Sequence, residues 1–180
     1  MEDATGLLPH LSSLFGGGSV IEISAAAATS FALIAAAEIG DKSQLVCMTL
    51  ASRHRPLPVM LGALAAFSLL NTLAVVFGVA IASWLPEWVV SAVVALLFFA
   101  FGLHALRATA DDDDDEVEER SGHGIFLTTF LLLTVAEFGD KTQLAVVAMS
   151  STHVPAGVWL GATLALATTS ALGILAGRTI

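Results

Sequence analysis

The chain has 180 residues, of which 56% are hydrophobic and 13% are charged, and its net charge is −9. A soluble domain has about twice that share of charged residues, so the composition favours a protein surrounded by lipid over a soluble domain with a large core. The negative charge argues against a nucleic acid partner.

Five apolar stretches are long enough to cross a bilayer as helices, which takes about 20 residues. Residues 1–20 precede the first stretch as an extramembrane segment, and they lack the basic residues of a secretory signal. The predicted spans run from near Ile21 to Ala51, Leu57 to Ser83, Trp88 to Leu106, Ile125 to Met149 and Ala156 to Ala176. The longest connection, 108–123, contains "DDDDDEVEER", and such a run of like charges predicts a solvated cytoplasmic loop.

The basic residues predict how the chain is oriented. Outside the two lysine-containing motifs described below, they all follow odd-numbered spans: Arg53, Arg55, Arg107, Arg120 and Arg178. Trp84, Trp88 and Trp159 fall on the opposite side, as interfacial tryptophans do. By the positive-inside bias, we expect a multi-pass protein, for example in a prokaryotic cell membrane, with its N-terminus outside.

The sequence repeats itself after 99 residues. "TSFALIAAAEIGDKSQLVCMTL" at 29–50 aligns with "TTFLLLTVAEFGDKTQLAVVAM" at 128–149, with 10 identical positions in 22. Downstream, Gly62 aligns with Gly161 and Gly78 with Gly177. Apolar composition explains matches of Ala and Leu, but it does not explain a shared E-x-G-D-K-[ST]-Q-L.

The repeat predicts an all-α polytopic protein with inverted topology. The first repeat, 21–107, holds three spans, so the second repeat, 124–180, enters the membrane from the opposite side. Transporters with this architecture place their site at the midplane between the repeats. The second repeat has two of its three expected spans, and we expect the sequence to lack the sixth helix.

Each repeat places charged residues inside an apolar run. In a continuous helix, positions i, i+3 and i+4 share a face, which predicts one face for Glu38, Asp41 and Lys42 and one for the second copy. The candidate metal ligands are Glu38, Asp41, Gln44, Glu137, Asp140 and Gln143. The candidate supporting residues are Gly40, Lys42, Ser43, Gly139, Lys141 and Thr142. The two glycines can permit unwinding or close helix approach.

The charges of the two copies do not cancel. Four carboxylates and two lysines leave −2, and each isolated charge costs at least about 2.5–3.5 kcal/mol at the bilayer centre. Local pairing of Glu38 with Lys42 and of Glu137 with Lys141 leaves that excess, which a divalent cation would neutralise. Carboxylate and amide oxygens suit Ca²⁺ or Mn²⁺, whereas a zinc site would favour His or Cys.

Protons are the alternative counter-charge, because burial disfavours an ionised carboxylate. The residues therefore suggest cation/proton exchange by alternating access, in which replacing Asp41 or Asp140 by Asn abolishes transport. The competing interpretation is structural, with the charged residues acting as ion pairs that fix helix register.

The doubled E-x-G-D-K-[ST] sequence resembles the signature of the GDT family of divalent-cation/proton exchangers, which includes Golgi calcium and manganese transporters and bacterial and plastid relatives. The resemblance covers both motif helices and the spans after them. It implies that Glu38, Asp41, Glu137 and Asp140 form the cation site, supported by Ser43, Thr142, Gln44 and Gln143. It also implies that Mn²⁺ or Ca²⁺ is a transported substrate, with the lipid bilayer as surroundings and no separate cofactor. A homo-oligomer is compatible with it.

Asn71 and the acidic loop each have two interpretations. Asn71, which aligns with Ser170, could provide an oxygen ligand or an interhelical hydrogen bond. The acidic loop could collect cations or simply be solvated. An enzyme is disfavoured, because the sequence offers no nucleophile with a nearby base and no HExxH or GxSxG motif.

Overall fold

The computed structural model describes residues 18–86, 88, 89, 92, 95, 96, 99 and 124–179. Across these residues it contains six helices with described bounds and no strand, and the all-α class agrees with the sequence prediction. The helices are α1 (Val20–Glu38), α2 (Lys42–Arg53), α3 (Pro56–Trp84), α4 (Ile125–Glu137), α5 (Lys141–Ser150) and α6 (Pro155–Gly177). Three of them, α1, α3 and α6, are long and apolar enough to span a membrane, and α4 is a shorter apolar helix.

Two predicted regions lie wholly or mostly outside the described residues. These are the acidic loop 108–123 and the third span 88–106, of which the six described positions are helical. Elsewhere, large apolar side chains point outwards, including Phe77 at 66%, Phe138 at 68% and Val135 at 77% exposure. Such an apolar surface suits a helical bundle in lipid, where the helices satisfy their own backbone hydrogen bonds.

Local sequence signals start the long helices. Ser19 and Glu22 form a capping box at the start of α1: the Glu22 amide donates to Ser19 Oγ at 3.3 Å, and the Ser19 amide donates to Glu22 Oε2 at 2.7 Å. Pro56 and Pro155 begin α3 and α6, where the missing amide proton of proline is not needed.

The first and fourth predicted spans are each broken at the charged motif. Helix α1 ends at Glu38 and α2 begins at Lys42, and the break between α4 and α5 is its equivalent. Gly40 and Gly139 have φ values of +87° and +79°, which glycine adopts readily. The expected unwinding at the glycines is therefore present, and the prediction of one continuous helical face is wrong.

Glycines bring the helices of one repeat against those of the other. A Cβ atom at Gly62 in α3 would lie 2.5 Å from the Phe126 carbonyl oxygen of α4. A Cβ at the equivalent Gly161 in α6 would lie 2.2 Å from the Ala27 oxygen of α1, and Ala27 is itself the equivalent of Phe126. The same contact thus occurs twice: once from a glycine of the first repeat to the second repeat, and once from a glycine of the second repeat to the first.

A second pair of contacts repeats the pattern at the other ends of α3 and α6. Gly78 of α3 packs on the Val147 carbonyl of α5, and Gly177 of α6 packs on the Met48 carbonyl of α2. Added Cβ atoms would lie 2.4 Å and 2.2 Å from those oxygens. Each broken helix therefore packs along the unbroken helix of the other repeat, which brings the two motifs together.

These contacts also define the two ends of the bundle. Gly18 lies against Val154, and Gly78 against Ser150, so the start of α1 shares an end with the end of α5; we name it the N-terminal end. Trp84 ends α3 at this end. Helices α2 and α6 end at the opposite end of the bundle. The arginines among the described residues, Arg53, Arg55 and Arg178, lie at this end.

Candidate cation-binding site

Three acidic side chains meet where the two helix breaks face each other. Glu38 ends α1 and Glu137 ends α4, with exposures of 0% and 6%, and Asp140 is half-buried just before α5. Carboxylate oxygens of all three lie within 4.8 Å of one another. We name these residues the acid cluster. Both copies of the motif contribute to it, as the inverted repeat predicted.

Hydroxyl groups from both copies approach the carboxylates. Thr142 donates through Oγ1 to Glu38 Oε1, and Ser43 donates through Oγ to Glu38 Oε2 at 3.4 Å. Both hydroxyl residues are buried, and they reach the site because the helices are broken: in a continuous helix they would point away from the acids. These hydroxyls orient the carboxylates towards the shared space.

The remaining motif aspartate has a different partner. Asp41 caps α2, where Oδ1 accepts a hydrogen bond from the Lys42 amide at 2.7 Å. Its Oδ2 forms an ion pair with Nζ of Lys141 from the other copy. The expected local pairing of Lys141 with Glu137 is thus replaced by a pair between repeats, because the break removes the i,i+4 geometry. Lys42 has an exposed side chain.

The two glutamines stabilise the helix breaks. Gln44 Oε1 accepts a hydrogen bond from the Gly40 amide at 2.8 Å, and Gln143 Oε1 accepts one from the Gly139 amide at 2.6 Å. An unwound peptide at membrane depth needs such partners, since lipid offers none. Their carbonyl oxygens, which the sequence suggested as ligands, are used in this structure by the backbone.

The acid cluster needs positive charge. Two ionised carboxylates 4.8 Å apart repel by about 3.5 kcal/mol at an effective dielectric constant near 20, and three such pairs exist within the cluster. Lys141 is engaged with Asp41 and has a 40% exposed side chain. The N-termini of α2 and α5 give partial positive charge, but a divalent cation or protons are needed to balance three ionised acids.

Beside the site, Asn71 makes a hydrogen bond whose partner the sequence did not identify. Asn71, suggested above as a ligand or an interhelical donor, is 2% exposed and donates through Nδ2 to Thr163 Oγ1 at 3.0 Å. Thr163 aligns with Leu64 of the first repeat, so neither the motif nor the repeat identified it. The hydrogen-bonding alternative for Asn71 is thus present.

The sequence profile of the family described as "Divalent cation/proton antiporter GDT1" matches residues 26–113 and 125–180. The match includes both copies of the motif and the helices that pack around them. No solved structure has a significant match to the chain.

Several curated proteins are similar over most of the chain. The "Putative manganese exporter" of Vibrio cholerae is 31% identical over 84% of this chain and 76% of its own length. "GDT1-like protein sll0615" of Synechocystis is 29% identical over 81% of this chain and 80% of its length. "GDT1-like protein 3" of Arabidopsis thaliana is 27% identical, and the match spans 83% of this chain but only 59% of that protein.

Proposed function

The chain belongs to the GDT1 divalent cation/proton antiporter family, and from this premise we propose that it exchanges Mn²⁺ for protons across a membrane. The observation that supports the proposal most strongly is the acid cluster, in which both inverted copies place carboxylates around one buried space. A site shared between inverted repeats is accessible from either side when the repeats rock against each other.

The choice of cation rests on the atoms around that space. Glu38, Glu137 and Asp140 offer only oxygen ligands, and the nearby hydroxyls of Ser43 and Thr142 add two more oxygens. Mn²⁺ and Ca²⁺ both accept oxygen ligands. We place Mn²⁺ first because the relative from Vibrio cholerae is named for manganese, with Ca²⁺ as a competing substrate.

Proton coupling follows because the cation and protons compete for the same carboxylate oxygens. When the cation leaves, the three acids of the cluster cannot all remain ionised without strong repulsion, so protons bind to the same oxygens. When a cation returns, it displaces those protons. Each transport cycle therefore moves protons and cation in opposite directions, and in this conformation the Asp41–Lys141 pair compensates one further acid.

The orientation is proposed from the ends of the bundle. Arg53, Arg55 and Arg178 mark the cytoplasmic side, and the N-terminal end faces outwards. In a prokaryotic cell membrane, this arrangement would export the cation as protons enter.

A structural role is the alternative, and one contact favours it. The ion pair between Lys141 and Asp41 joins the two repeats, as an interaction that fixes helix register would. Such a protein would need the charged residues for stability but would move no cation.

Flux through proteoliposomes tests the proposal. We expect Mn²⁺ uptake that increases when the lumen is made acidic, that stops when the pH gradient is dissipated, and that Ca²⁺ inhibits. Glu137→Gln should remove uptake. Glu22→Gln is the matched control, because it makes the same change at an exposed acid and keeps a residue able to form the capping box. Normal folding without Mn²⁺ flux in the wild-type protein would favour the structural alternative.

A further inference from the structure

A small cavity lies next to the acid cluster on one side. Its lining includes Glu137, Thr142 and Gln143 from the second motif and Phe67, Leu70 and Asn71 from α3. Helix α5 runs from the motif to the N-terminal end of the bundle, and Gln143 lies in its first turn. The cavity therefore lies beside the second copy of the motif, at the level of the helix break.

Asn71 gives this cavity a polar wall that α3 otherwise lacks. Its side chain is 98% buried, and its neighbours in the lining, Phe67 and Leu70, are apolar. The Nδ2 atom donates to Thr163 Oγ1, which fixes the orientation of the carboxamide. Because Asn71 lines the cavity, its Oδ1 oxygen is the acceptor that it can offer there, and an amide oxygen is an ordinary ligand for a hard divalent cation.

The opposite side of the cluster is built differently. The residue equivalent to Asn71 is Ser170, and the residue equivalent to Gln143 is Gln44. There, Gly173 packs on the Gln44 backbone so closely that a Cβ would lie 2.6 Å from the carbonyl oxygen. The amide of Asn71 is thus specific to one side of a site whose acids come from both repeats.

We propose that Asn71 is a further cation ligand, whose Oδ1 binds the ion in the cavity beside Glu137. The inference rests on the proposed function and specifies one step of it. The ion enters or leaves the acid cluster on this side through a position where the amide oxygen replaces part of its hydration shell.

Three variants test this in a Mn²⁺ flux assay. Asn71→Leu keeps the approximate volume but removes the oxygen, and we expect the KM for Mn²⁺ to rise at least about tenfold. Asn71→Gln keeps an amide oxygen without adding a charge, and it should raise the KM less than Asn71→Leu does. Ser170→Ala, the pseudo-equivalent control on the other side, should leave the KM unchanged.

A purely structural role predicts a different pattern. If Asn71 serves only to bond Thr163, then Thr163→Val should raise the KM as much as Asn71→Leu does. If Oδ1 binds the ion, Thr163→Val loosens the carboxamide but keeps its oxygen, so the KM should rise less than in Asn71→Leu. Equal rises in the two variants would overturn the proposal. An unchanged KM in Asn71→Leu would overturn it as well. Either result would leave the wild-type flux intact, so the failure would belong to this inference and not to the proposed function.

A labelling experiment gives a readout that does not need transport. The sole cysteine, Cys47, is buried, so Leu70→Cys in a Cys47→Ser background introduces one thiol in the cavity wall. We expect Mn²⁺ to protect that thiol from a charged thiol reagent, and we expect Asn71→Leu to abolish the protection. Modification at the same rate with and without Mn²⁺ would contradict a cation site in the cavity, whether or not flux is measured.

Discussion

The two copies of the motif have nearly the same sequence but different surroundings. In the first, Asp41 is bonded twice, to the Lys42 amide and to the Lys141 side chain. In the second, Asp140 caps α5 without a side-chain hydrogen bond to the helix and lies in the acid cluster. The two copies are therefore similar in sequence, but in this conformation only the aspartate of the first copy is paired with a lysine.

This difference shows how a repeated motif can support exchange. One aspartate is compensated by a lysine of the opposite copy, while the other remains with two glutamates that need a cation or protons. In an inverted repeat, the two copies exchange environments when the protein changes its direction of access. The alternate conformation would then pair the second aspartate and release the first.

We expect the largest effect from substitutions in the acid cluster itself. Asp140→Asn and Glu137→Gln each remove a charge at the proposed ion position, and we expect Mn²⁺ uptake to fall by at least about 100-fold, equivalent to about 2.7 kcal/mol. Proteoliposome flux measures the effect, with membrane insertion as the control. Uptake within threefold of the wild type in both variants would exclude the cluster as the transport site.

The next prediction separates the two aspartates. Asp41→Asn should also abolish uptake, but for a different reason: Lys141 loses its partner and its positive charge becomes available to the acid cluster. Adding Lys141→Met should then restore uptake by about tenfold, because it removes that charge. The same addition to Asp140→Asn should restore nothing. Equal responses of the two aspartate variants in the flux assay would contradict the observed difference between the copies.

Packing should be the same in both repeats. Gly78→Ala and Gly177→Ala place a methyl group against the carbonyl oxygens of Val147 and Met48, and each should destabilise the protein by about 1–3 kcal/mol. The thermal midpoint in detergent should fall in both, compared with Gly124→Ala, where a Cβ would meet no atom within 4 Å. A loss in one variant alone would mean that the repeats do not pack in the same way.

The smallest expected effect concerns the helix breaks. Alanine at Gly40 or Gly139 meets no steric obstacle, so its cost comes from the positive φ value, about 1–2 kcal/mol. Both variants should lower the thermal midpoint by a few degrees and by similar amounts. Unchanged midpoints would indicate that the chain does not require the left-handed conformation at these positions.

The sequence predicted the helical architecture and the meeting of the two motifs, because the repeat and its inversion are visible without any structure. The alignment of Gly62 with Gly161 and of Gly78 with Gly177 was also visible in the sequence, but the helices against which these glycines pack were not. The face shared by Glu38 and Asp41 was predicted wrongly, because the spacing rule assumes an intact helix. Once Gly40 interrupts it, Asp41 becomes a helix cap.

The spacing of residues within each motif could not predict the contacts between the two repeats. Lys141 and Asp41 are 100 residues apart, and the helical rule pointed to Glu137 as the lysine's partner. Thr163 showed no signal either, since a threonine in an apolar helix normally bonds its own backbone. Both contacts depend on how α3, α5 and α6 pack, which only the folded chain defines.

Direct Mn²⁺ binding tests the central claim, that acids from both copies hold one divalent cation. To remove any Mn²⁺ held by the acidic run 111–115, all five aspartates are first changed to Asn. In that background we predict one Mn²⁺ per chain by electron paramagnetic resonance, lost in Glu38→Gln, Glu137→Gln and Asp140→Asn but retained in Glu22→Gln. Full binding in variants of either copy would contradict a site shared between the repeats.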